Sequence, residues 1–355
     1  MTTSDPQHPS AIQIPTHCSG ERGGALVMVF LALVLLAIGI SGWLALWANY
    51  PMAHRQEMST IDFEVESGMS VKQLITQAQV AGLEVNGMML YSLFKYSGMA
   101  REVKAGSYEL DGEVSPWTFV QKLTRGEESL KSVTLIEGWN MRQWRQALNK
   151  TEGLKHESLK LSDEELMKRL GQEGQNAEGR FYPDTYTFGK SSSDLKVLAR
   201  ALKSMQRHLD AAWQARDEHQ VLANKEEALI LASIVEKETG QAKDRPMIAS
   251  VFQNRLKIGM PLQTDPTVIY GLGESFNGDL TRQDLRTDHP WNTYTRLGLP
   301  PTPIAMPGAA AMFAALHPAK SSALYFVAKG DGSSQFSETL AEHNEAVRKY
   351  QLHRQ

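Results

Sequence analysis

One apolar run stands out from the mixed pattern of hydrophobic and polar positions along the chain. Residues 23–48 contain no charged side chain. A helix needs about 20 apolar residues to cross a bilayer core, and in lipid it satisfies its own backbone hydrogen bonds. Trp43, Trp47 and Tyr50 lie at the C-terminal end, as in an interfacial aromatic belt. The pattern predicts one transmembrane helix that anchors a body running from residue 51 to 355.

A cleaved signal peptide is the alternative interpretation of this run. Signal peptides have an apolar region of about 7–15 residues that ends at small residues. Residues 23–48 form a longer run, and residues 47–51 make a poor cleavage site, so a retained anchor is favoured. Charge hardly decides the orientation, because Glu21 offsets Arg22 on one side and Arg55 lies on the other. The first 22 residues are polar and are interpreted as a disordered tail.

After a short linker, the spacing of apolar residues predicts a compact unit over residues 58–127. Residues alternate between apolar and polar from Ile61, which indicates a strand, and helical spacing follows from Val71. The chain then predicts a second helix over 85–97, a short strand closing at Asp111-Gly112, and a helix that Ser115 caps and Gly126 ends. The predicted order is strand, helix, helix, strand, helix.

A second unit is predicted over residues 130–355. It opens with a strand and continues through a charged, helical region over 140–177, and a long amphipathic helix follows the serine run at 191–193. Residues 259–308 are rich in Gly, Pro, Thr and Asn, which predicts loops, before a C-terminal strand and helix. The fold class is therefore predicted as α+β behind a single N-terminal transmembrane helix.

Composition and the lack of known motifs argue against several classes of partner and chemistry. The net charge is −3 and charges of both signs are mixed along the chain, which does not indicate a nucleic-acid partner. The single cysteine, Cys18, precedes the anchor, so the body has neither disulfides nor thiolate chemistry. The sequence shows no zinc-protease, nucleotide or nucleophile-elbow motif, and no metal or cofactor is predicted. His343 followed by Asn344 is interpreted as a structural hydrogen-bonding pair rather than a base.

The helix predicted over residues 225–240 offers a candidate for acid–base chemistry. Leu231, Ile234, Val235 and Glu238 follow the i, i+3, i+4, i+7 spacing, so Glu238 falls on the apolar stripe. Glu236 is expected on the polar side. An acid on an apolar face loses hydration when it ionises, which raises its pKa as a general acid near neutral pH requires.

The end of this helix strengthens the case for Glu238 without deciding it. Gly240 is predicted to cap the helix, which places Glu238 in its last turn, where the negative end of the helix dipole also raises a carboxyl pKa. The alternative is a structural Glu238 that pairs with Arg245 or Arg255, and the spacing leaves both open.

Two segments downstream group hydrogen-bonding side chains. LQTDPTVIYG is predicted to be a tight turn that brings Gln263, Thr264 and Asp265 together, which suits a polyhydroxylated ligand. An Asx-turn, in which Asp265 binds its own backbone, is an equal alternative. Asn292 and Tyr294 open a proline-stiffened loop, and such residues are common both in sugar-binding surfaces and in ordinary loops.

Several long motifs in series resemble the YceG-like family of endolytic murein transglycosylases. They cover most of residues 58–350 and are, in order, KAGSYEL, EGRFYPDTYTF, ASIVEKETG, VFQNRLKIGMPLQTDPTVIYG, NTYTRLGLPPTPIAMPG and HPAKSSALYFVAKGDGSSQFSETLAEHN. The resemblance implies a cytoplasmic tail over 1–22, a single-pass helix in the cell inner membrane and a periplasmic body. It also implies a small LysM-like module over 58–127 and a YceG-like catalytic domain over 130–355. It assigns no role to residues 141–178.

The resemblance further implies a lyase that acts on peptidoglycan strands without a cofactor. Glu238 would be the catalytic acid, and Gln263, Asp265, Asn292 and Tyr294 would line the substrate cleft. The expected reaction breaks the β-1,4 bond between N-acetylmuramic acid and N-acetylglucosamine within nascent strands, and the C6 hydroxyl of the muramic sugar closes a 1,6-anhydro ring. This cleavage would end strand elongation, with peptidoglycan synthases as expected partners.

Two other functions stay open at the level of the sequence. The chain could be a glycan-binding scaffold that holds cell-wall synthases without cleaving the glycan. It could also be a muramidase-type hydrolase, which needs a second carboxylate at about 5–5.5 Å for retention or about 6.5–9.5 Å for inversion. Asp265 is the motif carboxylate nominated for that second role.

Overall fold

A computed structural model describes residues 21–54, 61–110, 114–127 and 129–352. The tail up to residue 20 with Cys18, part of the linker after the anchor, and the predicted turn at Asp111-Gly112 lie outside the described residues. The mixture of helices and strands confirms the predicted α+β class. The chain divides into two compact units, residues 1–127 and residues 128–355, which are described separately.

The first unit begins with the apolar helix. Helix α1, Glu21–Asn49, starts inside the predicted tail, so Glu21 and Arg22 are helical. Its part from Leu26 to Asn49 is long and apolar enough to cross a membrane. Large apolar side chains such as Leu26 and Leu46 are 72% and 75% exposed, as expected of a helix surrounded by lipid. The helix is compatible with the predicted single-pass anchor.

The rest of the first unit follows the predicted order of elements, with two short strands added. The elements are β1 Ala53–His54, β2 Ile61–Val65, α2 Val71–Val80, β3 Leu83–Glu84, α3 Gly87–Tyr96, β4 Gly106–Leu110 and α4 Pro116–Arg125. Strands β2 and β4 pair antiparallel, as do β1 and β3. As predicted, Ser115 caps α4 through a bond from the Thr118 N–H, and Gly126 ends it in the left-handed conformation (φ 74°).

Aromatic rings form the centre of this unit. The Phe63 ring lies 5.9 Å from that of Tyr108 and 5.6 Å from that of Phe119, and Phe94 packs edge-on against Phe119. Phe94 and Phe119 have no exposed surface, and Tyr108 is 1% exposed. The three helices therefore share one hydrophobic core with the β2–β4 pair, and burial of these rings stabilises the unit.

The second unit is mostly helical. Its elements are β5 Leu130–Leu135, α5 Met141–Lys150, β6 Leu154–Lys155, α6 Asp163–Arg169, β7 Asp184–Gly189, β8 Ser192–Ser193, α7 Asp194–Gln214, α8 Lys225–Glu238, α9 Arg245–Ile258, α10 Asp265–Leu272, α11 Arg282–Arg286, α12 Ala309–Leu316, β9 Tyr325–Ala328, β10 Ser334–Ser337 and α13 Leu340–Val347. Strands β5 and β7 pair antiparallel, β6 and β8 parallel, and β9 and β10 antiparallel.

The prediction of a helical region over 140–177 is wrong in its extent. Helix α5 stops at Lys150 because Thr151 is extended and Gly153 takes a positive φ of 85°. Strand β6 and the shorter helix α6 follow, and a loop completes the region. One face of α5 still carries apolar residues, since Met141, Trp144 and Leu148 are buried in a core that also contains Phe181.

Helix α8 occupies the middle of a second core. Every residue from Ala228 to Val235 is buried. Residues of α9 and α12 belong to the same core, among them Phe252 and Met312. Because packing holds α8 on all sides, its C-terminal end is a rigid position from which to present a functional group.

Candidate active site

Helix α8 presents Glu238 at its last position. Asn224 caps the start of the helix through a bond from the Glu227 N–H, and Thr239, in an extended conformation, ends it. The predicted cap at Gly240 is wrong, because Gly240 is not among the glycines with positive φ. The prediction that Glu238 lies at the helix end is nevertheless confirmed, and the buried length of α8 fixes where that end lies.

The carboxyl of Glu238 lies in an environment that favours its protonated form. Burial is the main cause that raises the pKa of Glu238, and the nearby charge of Asp265 raises it further. A hydrogen bond from Thr264 Oγ1 to Glu238 Oε2, 2.7 Å long, and the charge of Arg255 act in the opposite direction. The net shift is upward, as a general acid near neutral pH requires.

The two arginines considered as ion-pair partners of Glu238 have other contacts. Arg255 donates from Nε to the Leu324 carbonyl and from Nη1 to the Leu262 carbonyl, each at 2.7 Å. Arg245 Nη2 lies 3.6 Å from Glu236. Arg255 therefore ties together backbone segments around Glu238 and acts on it through charge alone. The structure does not support the interpretation of Glu238 as one half of a structural ion pair.

The segment predicted as a tight turn is the start of helix α10. Pro266 lies in the first turn of this helix, where its fixed φ favours helix initiation. Gln263, just before the helix, has a positive φ of 49°, which is uncommon for a residue with a side chain. Its N–H donates to the Thr293 carbonyl at 3.1 Å, and the Thr264 N–H donates to Thr293 Oγ1 at the same distance. Thr293 therefore holds this bend in place.

Asp265 and Tyr294 meet in front of the bend. The Tyr294 hydroxyl donates to Asp265 Oδ1 at 2.5 Å. Burial and this carboxylate both raise the pKa of Tyr294, which therefore stays protonated and keeps donating. The carboxylate of Asp265 is directed to a side chain from another loop, unlike the Asx-turn alternative. The structure thus brings Gln263, Asp265 and Tyr294 together with Glu238, although the first two are exposed.

Asn292 has a different position from the one predicted. It has no exposed surface, and its Nδ2 donates to backbone carbonyls of Asp284, Leu285 and Thr287. Its Oδ1 accepts from the Tyr294 N–H at 2.9 Å. The side chain lies beneath the cleft wall rather than on it. Asn292 shapes the loop that carries Tyr294, so a contact with substrate is not what this geometry favours.

A cavity of about 590 Å³ opens in front of Glu238, and we call it the acid cavity. Its lining includes Arg255, Gln263, Asp265 and Tyr294 on one side. Residues of β9, β10 and α13 form the other side, including Tyr325 and His343. Aromatic faces, carboxylates and an amide within one open cavity are the groups that bind sugar rings and their hydroxyls.

His343, interpreted from the sequence as a structural residue rather than a base, lines the acid cavity. Its ring stacks on Tyr325 with centroids 5.2 Å apart, and burial lowers its pKa, so it is neutral at pH 7. Among the described residues, its buried Nδ1 has no hydrogen-bond partner. The structure therefore gives the predicted pair with Asn344 no hydrogen bond through Nδ1, and His343 lines the acid cavity.

Glu236 also differs from the prediction, since it is not on a polar side. Its side chain is 5% exposed, and it accepts a bond from the Gly308 N–H at 2.9 Å. Burial raises the pKa of Glu236 as well. Because α8 is packed on all sides, the helical period does not separate a wet face from a dry one. Glu236 serves the packing of α8 against the segment before α12.

A third carboxyl with a raised pKa lies deeper in the second unit. Glu178 accepts from the Met141 N–H with both oxygens, each at 3.1 Å, and from the Tyr270 hydroxyl at 3.1 Å. Burial raises the pKa of Glu178 to about 7. No sequence pattern marks Glu178 as a carboxyl with a raised pKa, because its burial depends on the fold. Its hydrogen bonds link the loop before β7 to α5 and α10.

Comparison with known proteins agrees with the resemblance carried by the motifs. The model of the YceG-like family matches residues 63–349. The chain belongs to the YceG-like family. A YceG-like protein of Listeria monocytogenes with a known crystal structure is 31% identical, with a TM-score of 0.51 over 81% of this chain and 99% of that one.

Two curated relatives of this YceG-like chain carry the name endolytic murein transglycosylase. The Bacillus subtilis protein is 33% identical over 314 residues, which is 83% of this chain and 86% of the relative. The Streptococcus pneumoniae protein is 28% identical over 353 residues, which is 90% of this chain and 63% of the relative. The family match over residues 63–349 spans α8 and the bend before α10.

Proposed function

We propose that the chain is an endolytic murein transglycosylase that cleaves the β-1,4 bond between N-acetylmuramic acid and N-acetylglucosamine within peptidoglycan strands. The observation that carries the proposal is Glu238, whose pKa is raised and which faces an open cavity at the end of a rigid helix. The family and the names of its relatives support the substrate.

In the proposed reaction a single carboxyl acts twice. Protonated Glu238 donates its proton to the glycosidic oxygen as the bond from that oxygen to C1 breaks. The resulting carboxylate then takes the proton of the C6 hydroxyl while that oxygen bonds to C1 and closes the 1,6-anhydro ring. Water is not consumed and the Glu238 carboxyl is regenerated. Because Glu238 is buried, its carboxyl is protonated before the reaction, as proton donation requires. The Thr264 hydroxyl then stabilises the Glu238 carboxylate that forms once the proton has been donated.

Four other residues are proposed to assist Glu238. Gln263, Asp265 and Tyr294 contact the sugars from the wall of the acid cavity. Asn292 positions Tyr294 through the loop, since its Oδ1 accepts from the Tyr294 N–H. The bond from Tyr294 to Asp265 reduces the availability of that carboxylate as the second group of a hydrolase.

The apolar helix and the first unit support a proposal for localisation. We infer that α1 crosses the cell inner membrane once, with the N-terminus in the cytoplasm and the body in the periplasm, where strands emerge from peptidoglycan synthases. Residues 58–127 are proposed as a LysM-like module that binds glycan. Protease added to spheroplasts should digest the body, and full protection of the body would contradict this topology.

Replacement of the acid tests the reaction. Glu238→Gln keeps the shape but cannot donate the proton, so release of anhydro-ended fragments should fall about 100-fold or more. Glu236→Gln is the matched control, since it changes the same residue type in the same helix outside the acid cavity, and it should retain activity. Near-normal anhydro release by Glu238→Gln would remove Glu238 from the mechanism. Glycan binding without shortening by the unmodified chain would favour the scaffold.

A further inference from the structure

The second unit contains another cavity that the proposed reaction does not use. It has a volume of about 560 Å³, and we call it the second cavity. Apolar side chains form much of its lining, among them Ile269, Tyr270 and Ile304. Arg142 and Lys237 bring positive charge to it. The cavity is therefore neither a purely apolar void nor a purely polar surface groove.

The second cavity borders the acid cavity at two consecutive residue pairs. Lys237 lines the second cavity, and Glu238, the next residue of α8, lines the acid cavity. Likewise, Asp265 lines the acid cavity and Pro266, the next residue of α10, lines the second. Successive side chains on a helix point about 100° apart, which explains how neighbours face two spaces. At both places the linings of the two cavities are therefore one Cα–Cα step, about 3.8 Å, apart along the backbone.

The cations of the second cavity have only weak contacts within the protein. Arg142 Nη1 lies 3.3 Å from Glu274, and these side chains are 46% and 86% exposed. Lys237 Nζ donates to the Gly138 carbonyl at 3.2 Å. Exposed ion pairs contribute little, so Arg142 can exchange Glu274 for a ligand at low cost. Lys237 is exposed too, and a charged ligand carboxylate is a stronger acceptor than the neutral Gly138 carbonyl. Arg142 and Lys237 against Glu274 leave one net positive charge in the lining.

The net positive charge of the lining calls for an anionic group on the murein strand. N-acetylglucosamine is neutral, and the lactyl carboxyl of a peptide-bearing muramic sugar is an uncharged amide. The free carboxylates of such a strand therefore lie on the short peptides, which also carry alkyl side chains. We propose that the second cavity binds the stem peptide of the sugar beside the scissile bond. Arg142 and Lys237 bind peptide carboxylates, and the apolar lining contacts alkyl groups. The inference rests on the proposed function, because it presupposes murein at Glu238.

The test compares two substrates on the full chain in detergent micelles. One is strands with intact stem peptides, and the other is the same strands after an amidase has removed the peptides, leaving the lactyl carboxylates. Arg142→Gln combined with Lys237→Gln should lower kcat/KM about tenfold on the peptide-bearing strands and leave cleavage of the stripped strands unchanged. Lys225→Gln, which removes an exposed lysine paired with Asp210 at the other end of α8, is the matched control and should match the parent on both.

Binding separates failure of this inference from failure of the proposed function. In the Glu238→Gln background, fluorescence anisotropy should show that the double variant binds peptide-bearing strands about tenfold more weakly, with a smaller salt dependence than the parent. Equal losses on both substrates, or no loss on peptide-bearing strands, would overturn the peptide assignment while leaving the reaction intact. If the parent chain binds peptide-bearing strands preferentially but releases no anhydro ends, the proposed reaction is overturned. The binding of the stem peptide in the second cavity is then still supported.

Discussion

Thr264 should tune the pKa of Glu238, the proposed catalytic acid. Its hydroxyl donates to Glu238 Oε2 at 2.7 Å, and its side chain is buried. Replacing Thr264 with valine keeps the volume and removes only this donor. Because the donor stabilises the ionised carboxylate, its loss should raise the pKa of Glu238 further.

The size of the shift follows from how the bond strengthens on ionisation. A hydrogen bond to a neutral acceptor contributes about 1 kcal/mol and one to a charged acceptor about 1.5–3 kcal/mol. The differential is therefore about 0.5–2 kcal/mol, and the middle of this range corresponds to about one pKa unit at 1.36 kcal/mol per unit. A general acid must be protonated in the free enzyme, so activity is lost as pH rises through its pKa. The alkaline limb of kcat/KM should move upward by about one unit in Thr264→Val.

The assay is the release of anhydro-ended fragments measured across pH for the parent and two variants. Thr264→Ser keeps the hydroxyl and serves as the control, so its alkaline limb should lie close to that of the parent. If the alkaline limb of kcat/KM for Thr264→Val coincides with that of the parent, or lies at lower pH, the role of Thr264 is refuted. The assignment of this limb to Glu238 is then refuted as well.

Two further predictions concern stability in the second unit, and urea unfolding checks both. Burial raises the pKa of Glu178 from 4.5 to about 7, so the folded protein binds this proton more tightly than the unfolded chain does. The contribution of Glu178 to the free energy of unfolding is therefore complete below pH 4.5 and is lost as the pH rises to about 7. Glu178→Gln should remove about 3 kcal/mol of that pH dependence, and an unchanged dependence would contradict the raised pKa. Asn292→Ala should lower the free energy of unfolding by about 2–4 kcal/mol and should also lower activity, because buried carbonyls and the Tyr294 N–H lose their partner. A variant as stable as the parent would contradict this role.

Periodicity could single out Glu238 as a candidate acid because a helical repeat is a local property. The spacing that placed it on an apolar stripe is set by the backbone, whatever packs around α8. The same rule failed for Glu236, because the whole middle of α8 is buried and its stripe has no solvated opposite face. Thr264, the residue that bonds Glu238, gave no sign of this pairing, since it reaches α8 from a segment 26 residues away.

The region around α10 shows why turn chemistry can mislead. Asp followed by Pro is typical of a turn, but the same pair is equally suited to the first turn of a helix. Asp265-Pro266 begins α10, and the bonds from Gln263 and Thr264 to Thr293 fix the approach. Asn292 was predicted to line the cleft because it is polar and belongs to a motif. Whether it faces ligand or backbone depends on how residues 284–287 fold around it, which local sequence does not reveal.

Digestion of peptidoglycan in oxygen-18 water tests the central claim most directly, because it reports which oxygen attacks C1. If Glu238 activates the C6 hydroxyl of the muramic sugar, mass spectrometry will find 1,6-anhydro ends without oxygen-18, and Glu238→Gln will yield almost none. Reducing ends labelled with oxygen-18 would show that water attacked instead, and would contradict transglycosylation by a single buried carboxyl.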